Sequence, residues 1–361
     1  MVEWLFCREE LIQSSRFYFM NTKWRNAFAL AASTIAVVLV AVHNLDFKPT
    51  LELLNVSYAP TADLYQAVDR QFAADYAKQK GMRLTLKLSN GGSSRQAQAV
   101  INGLEADVVT LALPSDVDAL RKHGLIPEGW AERLPNHSQP YTSTIVFVVR
   151  KGNPKAIKDW PDLISPGVEV ITPDPKTSGN GKLSLLAAWG SVLARGQSED
   201  EARDYVKQLY QHVSILGASA TDSTTTFAFD KLGDVHLTWE NEALREVEEA
   251  KGELEIIYPP VSIRAEPSVA WVDANVTRHQ TQEYAKAYLE FLFTDAAQEI
   301  LAQQGFRPFN LSILNQHADR FPKLDLFPIT LIAKDWEDAQ ARFFAENGIF
   351  DVIYKPRATR P

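Results

Sequence analysis

The chain has 361 residues, of which 45% are apolar and 23% charged, with 37 basic and 45 acidic side chains, one cysteine and a formal charge of −8. This composition excludes a disordered chain, a collagen-like repeat, a disulfide scaffold and a protein with many membrane spans. The acidic balance also argues against a nucleic-acid partner, whose binding surface needs clustered Lys and Arg. Because single cores stop growing at roughly 250–300 residues, the length predicts two lobes.

The N-terminal part of the chain carries an apolar stretch at residues 27–42, directly after a short basic segment. A basic segment followed by a short apolar run is typical of a secretory signal. An uncleaved anchor is the alternative, because no clear cleavage site follows, although the run is shorter than the roughly 20 residues of a spanning helix. We therefore predict a signal or anchor segment at residues 1–43, with residues 1–19 a candidate extension upstream of a start at Met20.

Strands and helices alternate along the rest of the chain. Short apolar or alternating runs predict strands, and apolar residues every three or four positions predict helices. The predicted strands are 53–57, 84–88, 108–113, 142–150, 168–171, 235–239 and 269–272, and the main predicted helices lie after residue 60 and at 95–104, 183–193 and 280–304. This order favours largely parallel sheets covered by helices on both faces.

A polar, proline-bearing stretch at residues 134–140 precedes a β-rich run and predicts a crossing between lobes. The return crossing is predicted near residues 244–262. We therefore expect a first lobe formed by residues 51–137 together with about 250–361, and a second lobe formed by residues 138–249.

Four loops share one character: each is small and polar, follows a predicted strand and opens a helix. Amide groups at a helix start lack partners and carry about half a positive charge, so they bind anions without a cationic side chain. Glycine permits close approach of the main chain, and serine adds a hydroxyl donor. For any single loop the alternative is an ordinary N-cap. The loops are residues 59–61, 91–93, 177–181 and 219–221.

Signatures of enzymes and metal sites are weak by comparison. Residues 179–182 resemble part of a phosphate loop, but a leucine follows where Ser or Thr is needed. The seven histidines are dispersed, without a pair at metal-ligand spacing, and Cys7 lies in the predicted signal segment, so an exported chain offers no thiol nucleophile. Trp239 precedes Glu240 and Glu242, and its donor-only indole is more informative than this carboxylate pair. We predict no catalytic residue, metal or cofactor.

Several longer segments together carry a specific resemblance that covers most of residues 51–354. They are LLNVSYAPT (53–61), NGGSSRQA (90–97), GLEADVVTLAL (103–113), RLPNHSQPYTSTIVFVVRKGNPK (133–155), ITPDPKTSGNG (171–181), LAAWG (186–190), TTTFAF (224–229), TWENEA (238–243) and FPKLDLF (321–327). With these segments the chain resembles the periplasmic sulfate/thiosulfate-binding proteins, which are the substrate-binding subunits of bacterial ABC importers.

The resemblance implies a two-lobed α/β fold of the type II periplasmic-binding-protein class, each lobe a mostly parallel sheet flanked by helices, with a hinge between the lobes. It also implies a cleft that encloses a dehydrated sulfate or thiosulfate ion. The residues that it assigns to the ion are Ala59 and Ser93 from the first lobe and Ser178, Gly179, Asn180, Ala220 and Trp239 from the second. Ser93 would donate its main-chain N–H and its hydroxyl, Ser178 its hydroxyl, Trp239 its indole N–H, and the others main-chain N–H groups.

Three departures from the family pattern accompany the resemblance. Ala59 and Thr221 stand where relatives have Asp and Arg, and Asn180 stands where the sulfate-binding branch has a second glycine, which brings the loop closer to the thiosulfate-favouring branch. The resemblance implies a monomeric, non-catalytic periplasmic protein that serves a membrane permease and its ATPase. The alternatives are a binding protein for molybdate or another tetrahedral dianion, and an enzyme acting on a sulfur oxyanion.

Overall fold

A computed structural model describes residues 33–36 and 50–354. The chain divides into two compact units, Met1–Thr50 and Leu51–Pro361. In the first unit residues 33–36 are helical, whereas the rest of the predicted signal or anchor segment, with Met20 and Cys7, lies outside the described residues. Among the residues that are described, no helix combines the length and the apolar character needed to cross a bilayer.

The strands are β1 (Thr50–Tyr58), β2 (Arg83–Gly91), β3 (Val108–Leu111), β4 (Tyr141–Thr142), β5 (Ile145–Arg150), β6 (Val170–Pro173), β7 (Val213–Gly217), β8 (Val235–Trp239), β9 (Leu254–Ile257), β10 (Val261–Ile263), β11 (Ser268–Trp271), β12 (Arg307–Pro308) and β13 (Asp325–Phe327). The helices are α1 (Ala62–Lys80), α2 (Ser93–Ile101), α3 (Pro114–Lys122), α4 (Gly179–Leu193), α5 (Glu199–His212), α6 (Ala220–Thr224), α7 (Glu240–Glu249), α8 (Asp273–His279), α9 (Gln282–Phe291), α10 (Asp295–Gln303), α11 (Leu311–Gln316), α12 (Trp336–Ala339) and α13 (Ile349–Ile353). Shorter turns of 3-10 helix include Ala59–Thr61.

The first lobe is built on a four-stranded sheet in the order β11, β3, β1, β2. Strand β1 runs parallel to β3, and β11 runs antiparallel to β3. Helix α1 buries Leu64, Tyr65, Val68 and Phe72, the spacing expected of one apolar helix face, against the sheet face that carries Leu53. Helices α2 and α3 cover the opposite face.

The second lobe is built on a five-stranded sheet in the order β7, β6, β8, β5, β9. In β5, Ile145, Phe147 and Val149 join the core around α4, while Val146 and Val148 join a second core beneath α7. A strand covered on both faces is apolar at every position, which explains the continuous run in this part of the sequence. Helix α4 is buried from Gly179 to Val192.

The α/β class predicted from the sequence is confirmed, but both sheets are mixed. In the second sheet β6 is parallel to β7 and β8, whereas β5 is antiparallel to β8 and β9. The antiparallel strands β5 and β11 lie next to the stretches predicted to cross between lobes, so their direction follows from the path of the crossing chain. The periodic segment 280–304 is split into α9 and α10, because the Thr294 hydroxyl accepts a hydrogen bond from the Ala297 N–H and starts a new helix.

The stretch from β13 to α13 packs largely against the second lobe. Phe327 approaches α4 so closely that a Cβ on Gly190 would lie 2.4 Å from its ring, which explains the glycine at this position of the helix. Strand β13 also pairs with β10, and Lys122 of the first lobe forms an ion pair of 2.8 Å with Glu337. The lobe boundaries predicted from the sequence stay a prediction.

Candidate anion-binding site

The predicted loops all lie at the start of a helix or the end of a strand. Ser93 and Ala220 are the first residues of α2 and α6, and Gly179 is the first residue of α4. Ser178 caps α4 without a side-chain capping bond, and Trp239 is the last residue of β8. Each helix start therefore presents main-chain N–H groups that lack intrahelical partners.

The starts of α2 and α4 lie in contact across the two lobes. A Cβ built on Gly179 would lie 3.4 Å from the Cβ of Ser93 and 2.5 Å from the Cβ of Ala112, which follows β3. A Cβ on Gly92 would lie 2.4 Å from the carbonyl oxygen of Thr177. Only glycine permits this approach of the main chains, so two predicted loops from different lobes form one surface.

The remaining predicted residues contact one another around Tyr58 and the turn that follows it. The ring of Tyr58, which precedes Ala59, lies 5.5 Å from the ring of Trp239. The 3-10 turn Ala59–Thr61 also lies against α6, which Ala220 opens. Trp239 itself is fully buried. The structure therefore places the Ala59–Thr61 turn against α6 and Trp239 beside Tyr58, in addition to the contact between Ser93 and Gly179. That these residues share one ligand stays a prediction.

The Ser93 hydroxyl is already engaged within the protein. It donates to Asp116 Oδ2 at 2.6 Å and accepts from the Ala112 N–H at 3.0 Å. Its single proton is thus directed at a carboxylate, which leaves the main-chain N–H as the donor that Ser93 offers. By contrast, no described residue accepts a hydrogen bond from the Ser178 hydroxyl.

Asp116 and Lys182 form a buried ion pair between the lobes, which was not among the sequence predictions. Lys182 Nζ lies 3.1 Å from Asp116 Oδ1, and both side chains are at most 5% exposed. Ser94 also donates to Asp116, at 2.9 Å. The residues lie 66 positions apart, on α4 and α3, so no local pattern links them. Their charges cancel next to the helix starts.

The side chain of Asn180 points into the second lobe. Its Oδ1 accepts a hydrogen bond of 3.0 Å from the Ser184 hydroxyl, and its Nδ2 lies 3.5 Å from Thr238 Oγ1. The carboxamide therefore contributes to packing between α4 and β8. What Asn180 presents at the helix start is its main-chain N–H, as a glycine at this position would.

A second group of charges bridges the lobes beside Trp239. Arg245 lies 2.9 Å from the buried carboxylate of Glu242 and 3.3 Å from Asp63 on α1. A cavity of about 190 Å³ is lined by these three residues together with Pro60 and Phe306. Burial raises the pKa of Glu242 to about 7, and Arg245 opposes this rise.

We expect Glu242→Gln to flatten the dependence of stability on pH. In the folded protein the carboxyl binds its proton up to about pH 7, whereas in the unfolded chain it releases the proton near its ordinary pKa of about 4.3. Between these values the unfolded state binds fewer protons, so the free energy of unfolding falls as the pH rises, by roughly 3 to 4 kcal/mol.

Urea unfolding at several pH values between 4.5 and 8 measures this slope. Glu248→Gln, which removes a solvent-exposed carboxylate from the same helix, is the matched control and should keep the wild-type slope. If Glu242→Gln also keeps it, the assignment of this pH dependence to Glu242 is wrong.

Within the described part of the chain, no group of three or more His, Cys, Asp and Glu side chains is placed to hold a metal ion. Six of the seven histidines lie within the described residues, and His43 lies outside them. His236, for example, is fully buried and contacts Glu246 at 3.0 Å, beneath α7 and outside the converging loops.

Comparisons with known proteins identify the family. Residues 54–307 match the family model described as bacterial extracellular solute-binding protein. The chain is 47% identical over 306 residues to a thiosulfate-binding protein of Pseudomonas aeruginosa, covering 84% of this chain and 92% of that protein. It is 48% identical over 307 residues to a sulfate-binding protein of Escherichia coli, covering 84% and 93%.

A solved structure agrees with these relatives. The sulfate-binding protein of Mycobacterium tuberculosis is 32% identical and matches with a TM-score of 0.75, covering 81% of this chain and 99% of that one. The predicted two-lobed α/β fold is confirmed, and so is the expectation of a binding protein instead of an enzyme, because the relatives are named as binding proteins. The chain belongs to the bacterial extracellular solute-binding protein family, among the sulfate- and thiosulfate-binding proteins.

Proposed function

We propose that this protein is the substrate-binding subunit of an ABC importer for sulfate or thiosulfate. It works in the periplasm as a monomer, encloses one oxyanion between its lobes, and presents the closed form to a membrane permease and its ATPase. The observation that carries the proposal is the contact between the starts of α2 and α4, where Ser93 meets Gly179 across the lobes. The names of the relatives support the choice of ligand.

The ligand is held by uncharged donors. Helix starts supply main-chain N–H groups whose partial positive charge favours an anion, and one hydroxyl and one indole N–H add to them. The donors are the N–H groups of Ala59, Ser93, Gly179, Asn180 and Ala220, the Ser178 hydroxyl and the Trp239 indole. Ion pairs such as Asp116 with Lys182 compensate their own charges and leave the dianion to these dipoles.

The number of donors is consistent with useful affinity. A hydrogen bond to a charged group contributes about 1.5–3 kcal/mol, so seven give on the order of 10–20 kcal/mol before costs. Desolvation of a dianion and closure of two lobes offset much of this gain. A net free energy near −8 kcal/mol, equivalent to a Kd of about 1 µM, is the expected result.

Selectivity follows from the protons of the ligand. Sulfate and thiosulfate carry no proton at neutral pH and match a set of donors, whereas hydrogen phosphate carries an O–H that needs an acceptor. Asp116, the carboxylate that meets Ser93, already accepts from Ser93, Ser94 and Lys182. A phosphate O–H in the site would therefore stay unpaired, which costs binding free energy.

Isothermal titration calorimetry of the purified protein tests the proposal. We expect sulfate and thiosulfate to bind with one site per chain and a Kd of about 1 µM, and phosphate to release no heat at the same concentrations. Molybdate competition against sulfate then separates a sulfur-oxyanion site from a wider tetrahedral-dianion site. If neither sulfate nor thiosulfate binds, the proposed function is wrong.

A further inference from the structure

Directly after Trp239, a carboxylate is held in an unusually well-defined position. The Glu240 side chain is fully buried, and Arg307 donates to both of its oxygens, from Nε at 2.6 Å and from Nη2 at 2.7 Å. A bidentate pair of this kind fixes the orientation of both groups, which a single contact does not. The acid pair Glu240 and Glu242 noted in the sequence is thus divided between different partners.

Arg307 is anchored independently of Glu240. It lies on β12, where it pairs with Thr142 of β4, and its Nη2 also donates to the carbonyl oxygen of Pro322 at 2.9 Å. Its guanidinium lies 5.4 Å from the ring of Phe321. Arg307 is therefore held in place by other contacts, and Glu240, which directly follows β8, binds to it.

The pair of Glu240 and Arg307 completes a closed set of contacts around the Trp239 indole. On one side the indole packs on Tyr58, whose hydroxyl accepts from Tyr141 at 3.3 Å. Tyr141 lies on β4, next to the residue that pairs with Arg307. On the other side Glu240 follows Trp239 in the chain and binds Arg307. The contacts through Tyr58 and those through Glu240 therefore both reach the paired strands β4 and β12.

We propose that the ion pair of Glu240 and Arg307 positions Trp239 for ligand binding, by tying the end of β8 to β12 so that the indole N–H keeps one orientation in the cleft. The inference rests on the proposed function for its ligand. Arg307 touches no proposed ligand-binding residue directly, so it acts through Glu240 and the main chain. We expect Arg307 to affect mainly the dissociation rate of the ligand.

Arg307→Lys separates positioning from charge. Lysine keeps the positive charge opposite Glu240 but loses the planar two-point contact. We expect the rate of sulfate dissociation to rise about tenfold, with little change in the association rate. Removing the charge altogether is a poorer test, because an unpaired buried carboxylate destabilises the fold. Glu240→Asp, which keeps the charge but shortens the side chain, is the second variant should Arg307→Lys not fold.

The control is a similar pair outside the proposed site. Arg133 binds both oxygens of Asp273, at 2.6 and 2.9 Å, and lies 4.1 Å from the ring of Trp271. Arg133→Lys should therefore lose the same kind of contact near a different tryptophan, Trp271 of the first lobe. We expect it to leave the sulfate dissociation rate unchanged.

The orientation of Trp239 distinguishes a positioning role from a purely structural one, because a structural role would leave that orientation unchanged. In protein labelled with 5-fluorotryptophan, the ¹⁹F resonance of Trp239, assigned with Trp239→Phe, should broaden or shift in Arg307→Lys and not in Arg133→Lys. Faster dissociation with an unchanged Trp239 resonance would overturn the positioning role, and so would wild-type behaviour in both measurements. If the wild-type protein binds neither oxyanion, the proposed function fails, while the resonance in the ligand-free variant still tests the positioning.

Discussion

Gly179→Ala is expected to weaken sulfate binding by roughly 5- to 150-fold, because the added methyl group keeps the lobes apart. The new Cβ would lie 2.5 Å from the Cβ of Ala112, an atom of the other lobe that no side-chain rotation can move. Overpacking of this kind costs about 1–3 kcal/mol. Within its own lobe the alanine is tolerated, since it favours the helix that it begins. The penalty therefore falls on closure and not on folding.

Calorimetry gives the affinity of this variant, and small-angle scattering reports whether sulfate still makes the protein more compact. Gly91→Ala is the matched control, because its Cβ would meet only the flexible side chain of Gln96, at 3.2 Å. We expect that variant to bind within about twofold of the wild type. Normal affinity together with normal compaction in Gly179→Ala would show that the glycine is not required for closure.

Ser178→Ala is expected to weaken sulfate binding by roughly 10- to 100-fold, which corresponds to the loss of one hydrogen bond to a charged group. Among the described residues the Ser178 hydroxyl has no acceptor, so its proton is available to a ligand. Ser93→Ala should cost less than about fivefold in affinity, because the Ser93 hydroxyl donates to Asp116 and the main-chain N–H survives the substitution.

Ser93→Ala should instead lower the free energy of unfolding, since Asp116 loses one donor and the Ala112 N–H loses its acceptor. That loss amounts to about 1–3 kcal/mol, and thermal unfolding of both variants measures it. Equal losses of affinity in the two variants would mean that the Ser93 hydroxyl turns from Asp116 to the ligand, contrary to the arrangement seen here.

Local signals in the sequence located seven of the nine strands in the two main sheets, all except β7 and β9. The strand predicted at residues 235–239 is β8, and the apolar spacing of Leu64, Tyr65, Val68 and Phe72 matches the buried face of α1. Helix α4 begins at Gly179, four residues before its predicted start at residue 183. Helix ends escape such patterns, because the polar loop residues there take helical geometry without apolar periodicity.

The candidate site could be predicted from the sequence only through its parts. Small polar residues at helix starts mark each donor, because the chemistry of an unpaired N–H is local. Their convergence, the commitment of the Ser93 hydroxyl to Asp116 and the inward turn of the Asn180 side chain depend on packing between elements. The resemblance supplied the set of residues, and the structure supplied their surroundings.

By itself, the sequence determined the α/β class, the positions of most strands in the two main sheets and the loops predicted to present anion donors, since each depends on residues a few positions apart. Only the tertiary structure decided that Gly179 closes on Ala112, that Lys182 pairs with Asp116 and that Arg307 pairs with Glu240. The last two partnerships join residues 66 and 67 positions apart. Such contacts form when whole lobes dock and buried charges find partners, and no short-range pattern in the chain encodes which partners those are.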